Sequence, residues 1–226
     1  MRTWIYACVL GVLSVLPTLS QAGYLEGIEY ARLPEAMPVQ TGKKIEVREV
    51  FWYGCPHCFH FEPTLQSWLK TKPKNVEFVR MPGVFNDSWE PGARAFYTFE
   101  ALGLTNKLHE AFFKAIHVEN KTLNDEDSIT QFAVDHGVDG KIFRNTYHSF
   151  GVTTQVKKAM DLGARYGVDS VPTIIVDGKF RTNATMATGA SSANTPMLDP
   201  NAALMQVVDY LIKKSEAERK GAKTKR

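Results

Sequence analysis

Cys55 and Cys58, separated by Pro56 and His57, are the residues of this 226-residue chain best suited to chemistry. At this spacing one sulfur can take part in thiol–disulfide exchange while the other resolves the product. Exchange needs an accessible thiolate with a low pKa and a second thiol nearby. The Cys-Pro-His-Cys motif therefore indicates a redox-active disulfide that is repeatedly made and broken.

The flanking residues favour ionisation of Cys55. The segment from Lys44 to Tyr53 is rich in β-branched and aromatic residues and predicts a strand, and Pro56 suits the first position of a helix. Cys55 would then lie at the mouth of that helix, where free N–H groups and the helix dipole stabilise an anion. His57 would add a charge or a hydrogen bond, and Cys58, one turn along, would be the buried resolving thiol.

Other uses of the motif fit the residues less well. A zinc site needs four ligands, and neither a second cysteine pair nor an HxxxH motif follows, so no metal site is predicted. A structural disulfide across two residues closes too small a loop to add much stability. For His57 alone, the alternative is an ordinary exposed histidine.

The composition is that of an ordinary globular protein, with 44% hydrophobic and 23% charged residues and a net charge of +3. This charge is too small to indicate nucleic-acid binding, and no basic stripe with interleaved aromatic residues occurs. Neither GxGxxG nor GxxxxGK[ST] is found, so no glycine-rich phosphate loop is predicted. We expect neither a nucleic-acid partner nor a cofactor.

Residues 1–22 have the pattern of a secretory signal peptide. Arg2 precedes an uncharged run from Trp4 to Leu16, and small residues follow at Ser20 and Ala22. An uncleaved membrane anchor is the alternative, although the run is short for a bilayer span. Cleavage after about Ala22 would remove Cys8 and leave an exported chain with a single cysteine pair.

Periodicity beyond the motif predicts strands on either side of a helical block. Residues 75–81 read as a second strand, whereas residues from about 87 to 166 carry five segments with helical spacing. The strand pattern returns at Thr173–Val176, and Asp177-Gly178 is typical of a two-residue hairpin turn. The predicted element order is βαβ, a helical block, ββ and α.

The C-terminal part of the chain predicts a loop, a helix and a charged tail. Residues 182–200, rich in Ala, Thr, Ser and Asn, read as a surface loop, and residues 201–214 as an amphipathic helix. The last 14 residues hold seven Lys or Arg and two Glu. We expect this tail to be the solvated, fraying end of the helix, with contact to membrane phosphates as the alternative.

The segment FWYGCPHC after a strand resembles the DsbA family of bacterial periplasmic thiol–disulfide oxidoreductases, and the likeness extends over the chain beyond residue 22. The resemblance implies an α/β protein: a thioredoxin fold with an inserted all-helical domain, in the periplasm. It divides the chain into a signal peptide (1–22), a thioredoxin-like domain in two pieces (23–86 and 167–226) and a helical insertion domain (87–166).

The resemblance also implies a second loop at the site. Residues 170–173, with the sequence Ser-Val-Pro-Thr, look like the family's cis-proline loop, which would set Pro172 beside Cys55. Val171 and Thr173 would then contact a bound peptide. A trans proline in an ordinary turn is the alternative for Pro172.

Glu49 matches the acid that the family buries beneath its active site. Strand alternation places Glu49 on the face shared by Ile45, Val47 and Phe51, in agreement with burial. A buried carboxylate is costly unless it serves a purpose, here the exchange of protons with Cys58. An exposed glutamate at the end of the strand is the alternative.

The implied function is a thiol:disulfide oxidase that donates the Cys55–Cys58 disulfide to unfolded or newly exported cysteine-containing proteins. The expected protein is a monomer, reoxidised by a DsbB-like, quinone-linked protein of the inner membrane. A disulfide isomerase or reductase is the nearest alternative. Isomerases of this compartment resemble dimers with an extra N-terminal domain, for which residues 23–43 are too few. The alternative from another class is a chaperone-like or metal-binding protein.

Overall fold

The computed structural model describes residues 23–189 and 199–224, so the predicted signal peptide lies outside the described part of the chain. The strands are β1 Ala31–Arg32, β2 Ile45–Phe51, β3 Val76–Pro82, β4 Thr173–Val176 and β5 Phe180–Asn183. The helices are α1 Pro56–Thr71, α2 Glu90–Ala101, α3 Thr105–His117, α4 Glu126–Asp135, α5 Gly140–Tyr147, α6 Phe150–Arg165, α7 Ala184–Ala187 and α8 Pro200–Thr224, with a 3₁₀ turn at Asp87–Trp89. Within the described ranges, no helix has the length and apolar character needed to cross a membrane.

The five strands form one mixed sheet in the order β1-β5-β4-β2-β3. β2 is parallel to β3 and antiparallel to β4, and β4 continues through a hairpin into β5. The five helices α2–α6 lie between β3 and β4 in the sequence. This is a thioredoxin fold with a helical insertion, which confirms the predicted fold class.

Two apolar clusters cover the faces of the sheet, and all seven residues of β2 are buried. The first joins the sheet to α1 and α8 through Val47, Leu65 and Leu211, among others. The second joins the end of β2 to the helical insertion and includes Cys55 and Cys58. The cysteine pair therefore lies where the insertion meets the sheet.

The hairpin between β4 and β5 has the predicted two-residue turn. Asp177 and Gly178 have positive φ angles of 56° and 61°, and Lys179 N–H donates to the Val176 carbonyl at 3.0 Å. A Cβ atom at Gly178 would lie 2.2 Å from the carbonyl oxygen of Met37. The turn therefore needs glycine both for its backbone angle and for space.

We expect Gly178→Ala to lower the free energy of unfolding by at least about 2 kcal/mol, because left-handed backbone strain adds to the clash with Met37. Gly42→Ala is the matched control, since Gly42 has a φ of 62° and open space around it. Denaturant unfolding should show a loss of only about 1 kcal/mol for Gly42→Ala. Equal losses in the two variants would mean that the close approach of Met37 is unimportant.

The prediction of a surface loop over residues 182–200 is wrong at its start. Thr182 and Asn183 complete β5, because they pair with Ile174 and Thr173 of β4. The Asn183 side chain then accepts a hydrogen bond from Met186 N–H at 2.8 Å and caps α7. Residues 190–198 of the predicted loop lie outside the described residues.

The terminal helix is longer than predicted, since α8 continues to Thr224 instead of ending near residue 214. Glu218 accepts from Arg32 at 2.6 Å, and Arg219 binds both carboxylate oxygens of Asp177 and donates to the Lys43 carbonyl at 2.7 Å. These contacts hold the helix against the sheet beyond its apolar part. The prediction of a solvated, fraying end is therefore wrong for the part of the tail up to Arg219.

Candidate active site

Cys55 lies between the end of β2 and the start of α1. It is the N-cap residue, with extended backbone angles, and Pro56 takes the first helical position as predicted. Cys55 N–H donates to the Trp52 carbonyl at 3.0 Å, which closes the turn after the strand. Cys55 is 7% exposed and Cys58 is fully buried, and both are free thiols in this structure. Only Cys55 is open to attack from outside.

The surroundings of the two thiols shift their pKa values in opposite directions. The pKa of Cys55 falls to about 6, mainly because the Cys58 thiol donates a hydrogen bond to its sulfur. The backbone N–H groups of Cys58 and His57 and the charge of His57 also lower this pKa, whereas burial opposes the shift. The pKa of Cys58 is raised well above its usual value, by burial first and then by the Cys55 and Glu49 charges. At neutral pH the reduced pair thus consists of a thiolate at Cys55 and a thiol at Cys58.

The loop before β4 reaches the sulfur of Cys55. The Val171–Pro172 peptide bond is cis, as the resemblance implied, and Pro172 is buried. The Cys55 sulfur lies 3.4 Å from the Val171 carbonyl oxygen, to which it can donate when it is protonated. The Thr173 hydroxyl donates to the Ser170 carbonyl at 2.7 Å, and the residue is 1% exposed and pairs with Val50 and Asn183 in the sheet.

Pro56 and His57 are exposed on the first turn of α1. His57 therefore acts on Cys55 through its backbone N–H and its charge rather than through a buried contact. Replacement of its side chain would remove the charge and keep the N–H.

Glu49 lies in the middle of the sheet and is fully buried, which excludes the exposed alternative. Its Oε2 lies 3.3 Å from Nε of Arg80 on the neighbouring strand, yet neither carboxylate oxygen has a hydrogen-bond partner among the described residues. Burial, together with the charge of Glu62, raises the pKa of Glu49 to about 8, although Arg80 opposes this. Glu49 is therefore mostly protonated at neutral pH and can donate a proton.

Three side chains that the sequence analysis missed are linked to Glu49 through Arg80. Arg80 Nη2 contacts the two carboxylate oxygens of Glu62 at 3.1 and 3.0 Å, and His109 Nε2 lies 3.2 Å from Glu62 Oε1. Burial alone would raise the pKa of Glu62, but the hydrogen bond from His109 and the charge of Arg80 outweigh it and lower the pKa. The two buried acids thus differ: Glu62 is ionised, whereas Glu49 is mostly neutral.

The sequence held a signal for part of this group. Glu62 follows Cys58 by four residues, so helical spacing places it on the same inward face. Arg80 pairs with Glu49 in the register of β2 and β3. His109 belongs to α3 of the insertion, and no local pattern connects it with the motif.

An aromatic stack lies next to the cysteine pair. Trp52 stacks on Trp89 at 4.1 Å between ring centroids, and Trp89 stacks on Phe85 at 4.6 Å. Phe85 is 41% exposed, so the stack presents apolar surface to solvent. Gly54 is required beside it, because a Cβ atom there would lie 2.3 Å from the Trp52 ring.

Among residues 23–189 and 199–224, no group of three or more His, Cys, Asp and Glu side chains is arranged to hold a metal ion. The donors that the motif offers are Cys55, His57 and Cys58, and of these His57 points to solvent while Cys58 is buried.

Comparison with known proteins identifies relatives along the whole chain. Residues 80–196 match the family model of the DSBA-like thioredoxin domain, a segment that begins after the cysteine pair. The thiol:disulfide interchange protein DsbA of Pseudomonas aeruginosa is 38% identical over 221 residues, covering 97% of this chain and 100% of the relative. The protein of the same name from Azotobacter vinelandii is 38% identical over 200 residues, covering 88% of each chain.

Solved structures agree with these relatives. The crystal structure of Pseudomonas aeruginosa DsbA has a TM-score of 0.78 to this chain at 39% identity, covering 87% of this chain and 97% of that one. The crystal structure of the oxidoreductase DsbA from Xylella fastidiosa has a TM-score of 0.74 at 28% identity, covering 85% and 98%. Together with the cysteine pair and the cis-proline loop, these matches show that the chain belongs to the DsbA family of thioredoxin-fold thiol:disulfide oxidoreductases.

Proposed function

We propose that this protein oxidises cysteine pairs in unfolded or newly exported proteins by donating its Cys55–Cys58 disulfide. The observation that carries the proposal is the asymmetry of the pair: Cys55 is reachable and has a low pKa, whereas Cys58 is buried and has a high one. A stabilised Cys55 thiolate favours the reduced form of the enzyme, and this makes the disulfide a strong oxidant. DsbA is the standard example of an oxidant whose strength comes from a stabilised reduced form.

The reaction follows from this asymmetry. A substrate thiolate attacks the Cys55 sulfur, the Cys55–Cys58 bond breaks, and Cys58 leaves with the electron pair and takes up a proton. A second substrate thiolate then attacks the substrate sulfur of the mixed disulfide and expels Cys55 as the thiolate. Two electrons have passed from the substrate, now a disulfide, to the enzyme, now a dithiol.

We assign the proposed roles as follows. Cys55 is the attacked sulfur and Cys58 the resolving thiol; Pro56 and His57 stabilise the thiolate, and Glu49 supplies and accepts the proton of Cys58. Three residues of the cis-proline loop are proposed to hold the substrate backbone beside Cys55: Val171, Pro172 and Thr173. The exposed Phe85 ring and the half-buried Trp52 and Trp89 rings offer an apolar surface for the unfolded chain that carries the substrate cysteines.

The setting of the reaction is likewise proposed. The leader pattern of residues 1–22 supports export to the periplasm, with cleavage after about Ala22. The mature chain would consist of a thioredoxin-like domain, residues 23–86 and 167–226, and a helical insertion domain, residues 87–166. It would act as a monomer, and a DsbB-like, quinone-linked protein of the inner membrane would reoxidise it.

Mixing the oxidised protein with a reduced dithiol peptide tests the function. We expect one peptide disulfide per enzyme molecule within seconds, and many turnovers when an oxidant is supplied. If scrambled disulfides are reshuffled much faster than dithiols are oxidised, the protein is an isomerase. A metal ion that stays bound in a stoichiometric amount after purification, with no peptide oxidation, would favour the metal-binding alternative.

We expect His57→Ser to make the protein a weaker oxidant with an unchanged fold. Without the histidine charge the pKa of Cys55 rises, and the reduction potential falls by up to about 30 mV, equivalent to 1.4 kcal/mol for two electrons. The equilibrium of the cysteine pair with glutathione measures this potential. His60→Ser is a suitable control, because His60 is also an exposed histidine of α1 and adds nothing to the shift of the Cys55 pKa. An unchanged equilibrium for His57→Ser would remove His57 from the site.

A further inference from the structure

A continuous chain of buried side chains runs from the active-site loop into the helical insertion. Tyr53, two residues before Cys55, places its hydroxyl 2.8 Å from Nδ1 of His109, and Nε2 of His109 lies 3.2 Å from Glu62. An ionised carboxylate only accepts hydrogen bonds, so the hydrogen of the neutral imidazole lies on Nε2. Nδ1 then accepts the hydrogen bond from the Tyr53 hydroxyl.

The chain continues from Glu62 through Arg80 to Glu49. Arg80 bridges the two acids, with Nη2 contacting Glu62 at 3.0 Å and Nε lying 3.3 Å from Glu49. When Glu49 is ionised, its charge raises the pKa of Cys58, so the protonation of the two groups is linked. A change in the protonation of Cys58 therefore alters, through Glu49 and Arg80, the charges around His109.

The middle of this chain of side chains borders a cleft of about 630 Å³ between α1 and α3. Glu62, Arg80 and His109 line it, together with Gln66 and Lys70 of α1 and residues of α3. Residues 170–173 are not part of this lining, so the cleft is separate from the cis-proline loop. The cleft is large enough for water molecules, and the polar side chains of Glu62, Arg80 and His109 offer them hydrogen-bond partners.

On the basis of the proposed function, we propose that His109 is a positioning residue of thiol–disulfide exchange, which holds Glu62 and Arg80 beside Glu49 and balances their charge by exchanging a proton with water in the α1–α3 cleft. His109 does not contact the thiols; it acts through Glu62 and Arg80.

When the substrate thiolate attacks Cys55, Cys58 leaves as a thiolate and takes the proton of Glu49. Two carboxylates, Glu49 and Glu62, then share the single guanidinium of Arg80. The imidazole of His109, which lines the cleft, takes up a proton from cleft water and then carries hydrogen on both ring nitrogens, and the Tyr53 hydroxyl turns from donating to accepting. The proton leaves again when Glu49 is reprotonated.

The surroundings of His109 suit this exchange. The charged or titratable groups facing it are Tyr53 from the loop after β2, Glu62 from α1, Arg80 from β3 and Glu110 from its own helix. The other packed neighbours are the rings of Phe51, Phe96 and Phe113. Burial lowers the pKa of His109 although Glu62 opposes this, so the resting imidazole is neutral and able to take up a proton.

His109→Gln tests the proposal, because glutamine keeps an N–H donor for Glu62 but cannot be protonated. The measurement is the single-turnover rate at which the oxidised protein oxidises a dithiol peptide, from mildly acidic to alkaline pH. The ratio of wild-type to variant rates cancels the ionisation of the peptide. We expect a ratio of about ten at mildly acidic pH, the factor of one pKa unit, falling towards one at alkaline pH. The ultraviolet titration of the Cys55 thiolate should be unchanged.

Two further variants separate proton exchange from structural support. Gln66 also donates to Glu62, at 3.2 Å, and carries no titratable group, so Gln66→Leu should change the rate by the same factor at every pH. Tyr53→Phe keeps the ring and removes the hydroxyl that must turn, so it should show the His109→Gln dependence in weaker form. It also provides the test if His109→Gln does not fold.

The outcomes distinguish this proposal from the proposed function. Should His109→Gln lower the rate by a constant factor at all pH values, or Gln66→Leu show the same pH dependence, His109 has only a structural role. If the wild-type protein fails to oxidise the peptide at any pH, the proposed oxidase function itself is wrong.

Discussion

Cys58→Ser is expected to accumulate a covalent complex with substrate through Cys55 and to lose catalytic turnover altogether. The low pKa of Cys55 keeps its sulfur ionised and reactive near neutral pH, so it still attacks a substrate disulfide. The resolving thiol is missing, and the buried position of residue 58 allows no other thiol to replace it. Incubation with a disulfide peptide, followed by non-reducing electrophoresis and mass spectrometry, measures the complex.

Cys55→Ser is the matched control for this variant. Here the remaining thiol is fully buried, and burial, the largest cause of its raised pKa, persists without Cys55, so it stays protonated and unreactive. We expect no covalent complex, and slow alkylation by iodoacetamide in the folded state. A complex of equal yield in both single variants would overturn the assignment of Cys55 as the reactive sulfur.

The local parts of this site could be predicted because each depends on a few adjacent residues. A strand followed by Cys-Pro-His-Cys predicts Cys55 at a helix start and Cys58 on the inner face, and the structure places them there. The hairpin at Asp177-Gly178 was predicted by the same kind of local rule, since both residues favour positive φ.

The features that the sequence analysis missed depend on contacts between distant segments. His109 lies 47 residues after Glu62 and 56 after Tyr53, and no periodicity indicates that α3 would bring it against both. The extension of α8 beyond residue 214 likewise depends on Asp177, which is 42 residues before Arg219. Charged residues near a terminus predict a solvated tail unless the fold provides such a partner.

The burial of β2 shows why alternation is a limited guide to a central strand. Arg48 and Glu46 lie on the face opposite Glu49 and read as polar, but both are buried and pair at 2.8 Å. A strand covered on both faces carries charges only where partners satisfy them. Glu49 differs from these residues, because both of its oxygens lack hydrogen bonds among the described residues.

We expect Glu49→Gln to have a larger free energy of unfolding than the wild-type protein, by a margin that grows as the pH rises. The pKa of Glu49 is about 8 in the folded protein against 4.5 for the free side chain. Between these values the unfolded chain has lost the proton that the folded protein keeps, so wild-type stability falls as pH rises. Glutamine has no such proton, and from pH 4.5 to 8 the variant should gain of the order of 4 kcal/mol relative to wild type.

Glu62→Gln is the control for the loss of a buried carboxylate. Relative to wild type, its free energy of unfolding should change in the opposite direction and in a different pH range. The folded pKa of Glu62 is lowered, so its ionised form stabilises the fold above pH 4.5, and this stability is lost as the pH falls through the folded pKa. The variant should be less stable than wild type by about 2 kcal/mol at neutral pH, with the gap closing in acid.

Urea unfolding over a pH series measures both variants, and the comparison within each variant cancels any fixed effect of the amide. Parallel pH curves for Glu49→Gln and wild type would mean that Glu49 is ionised in the fold and cannot supply the proton of Cys58.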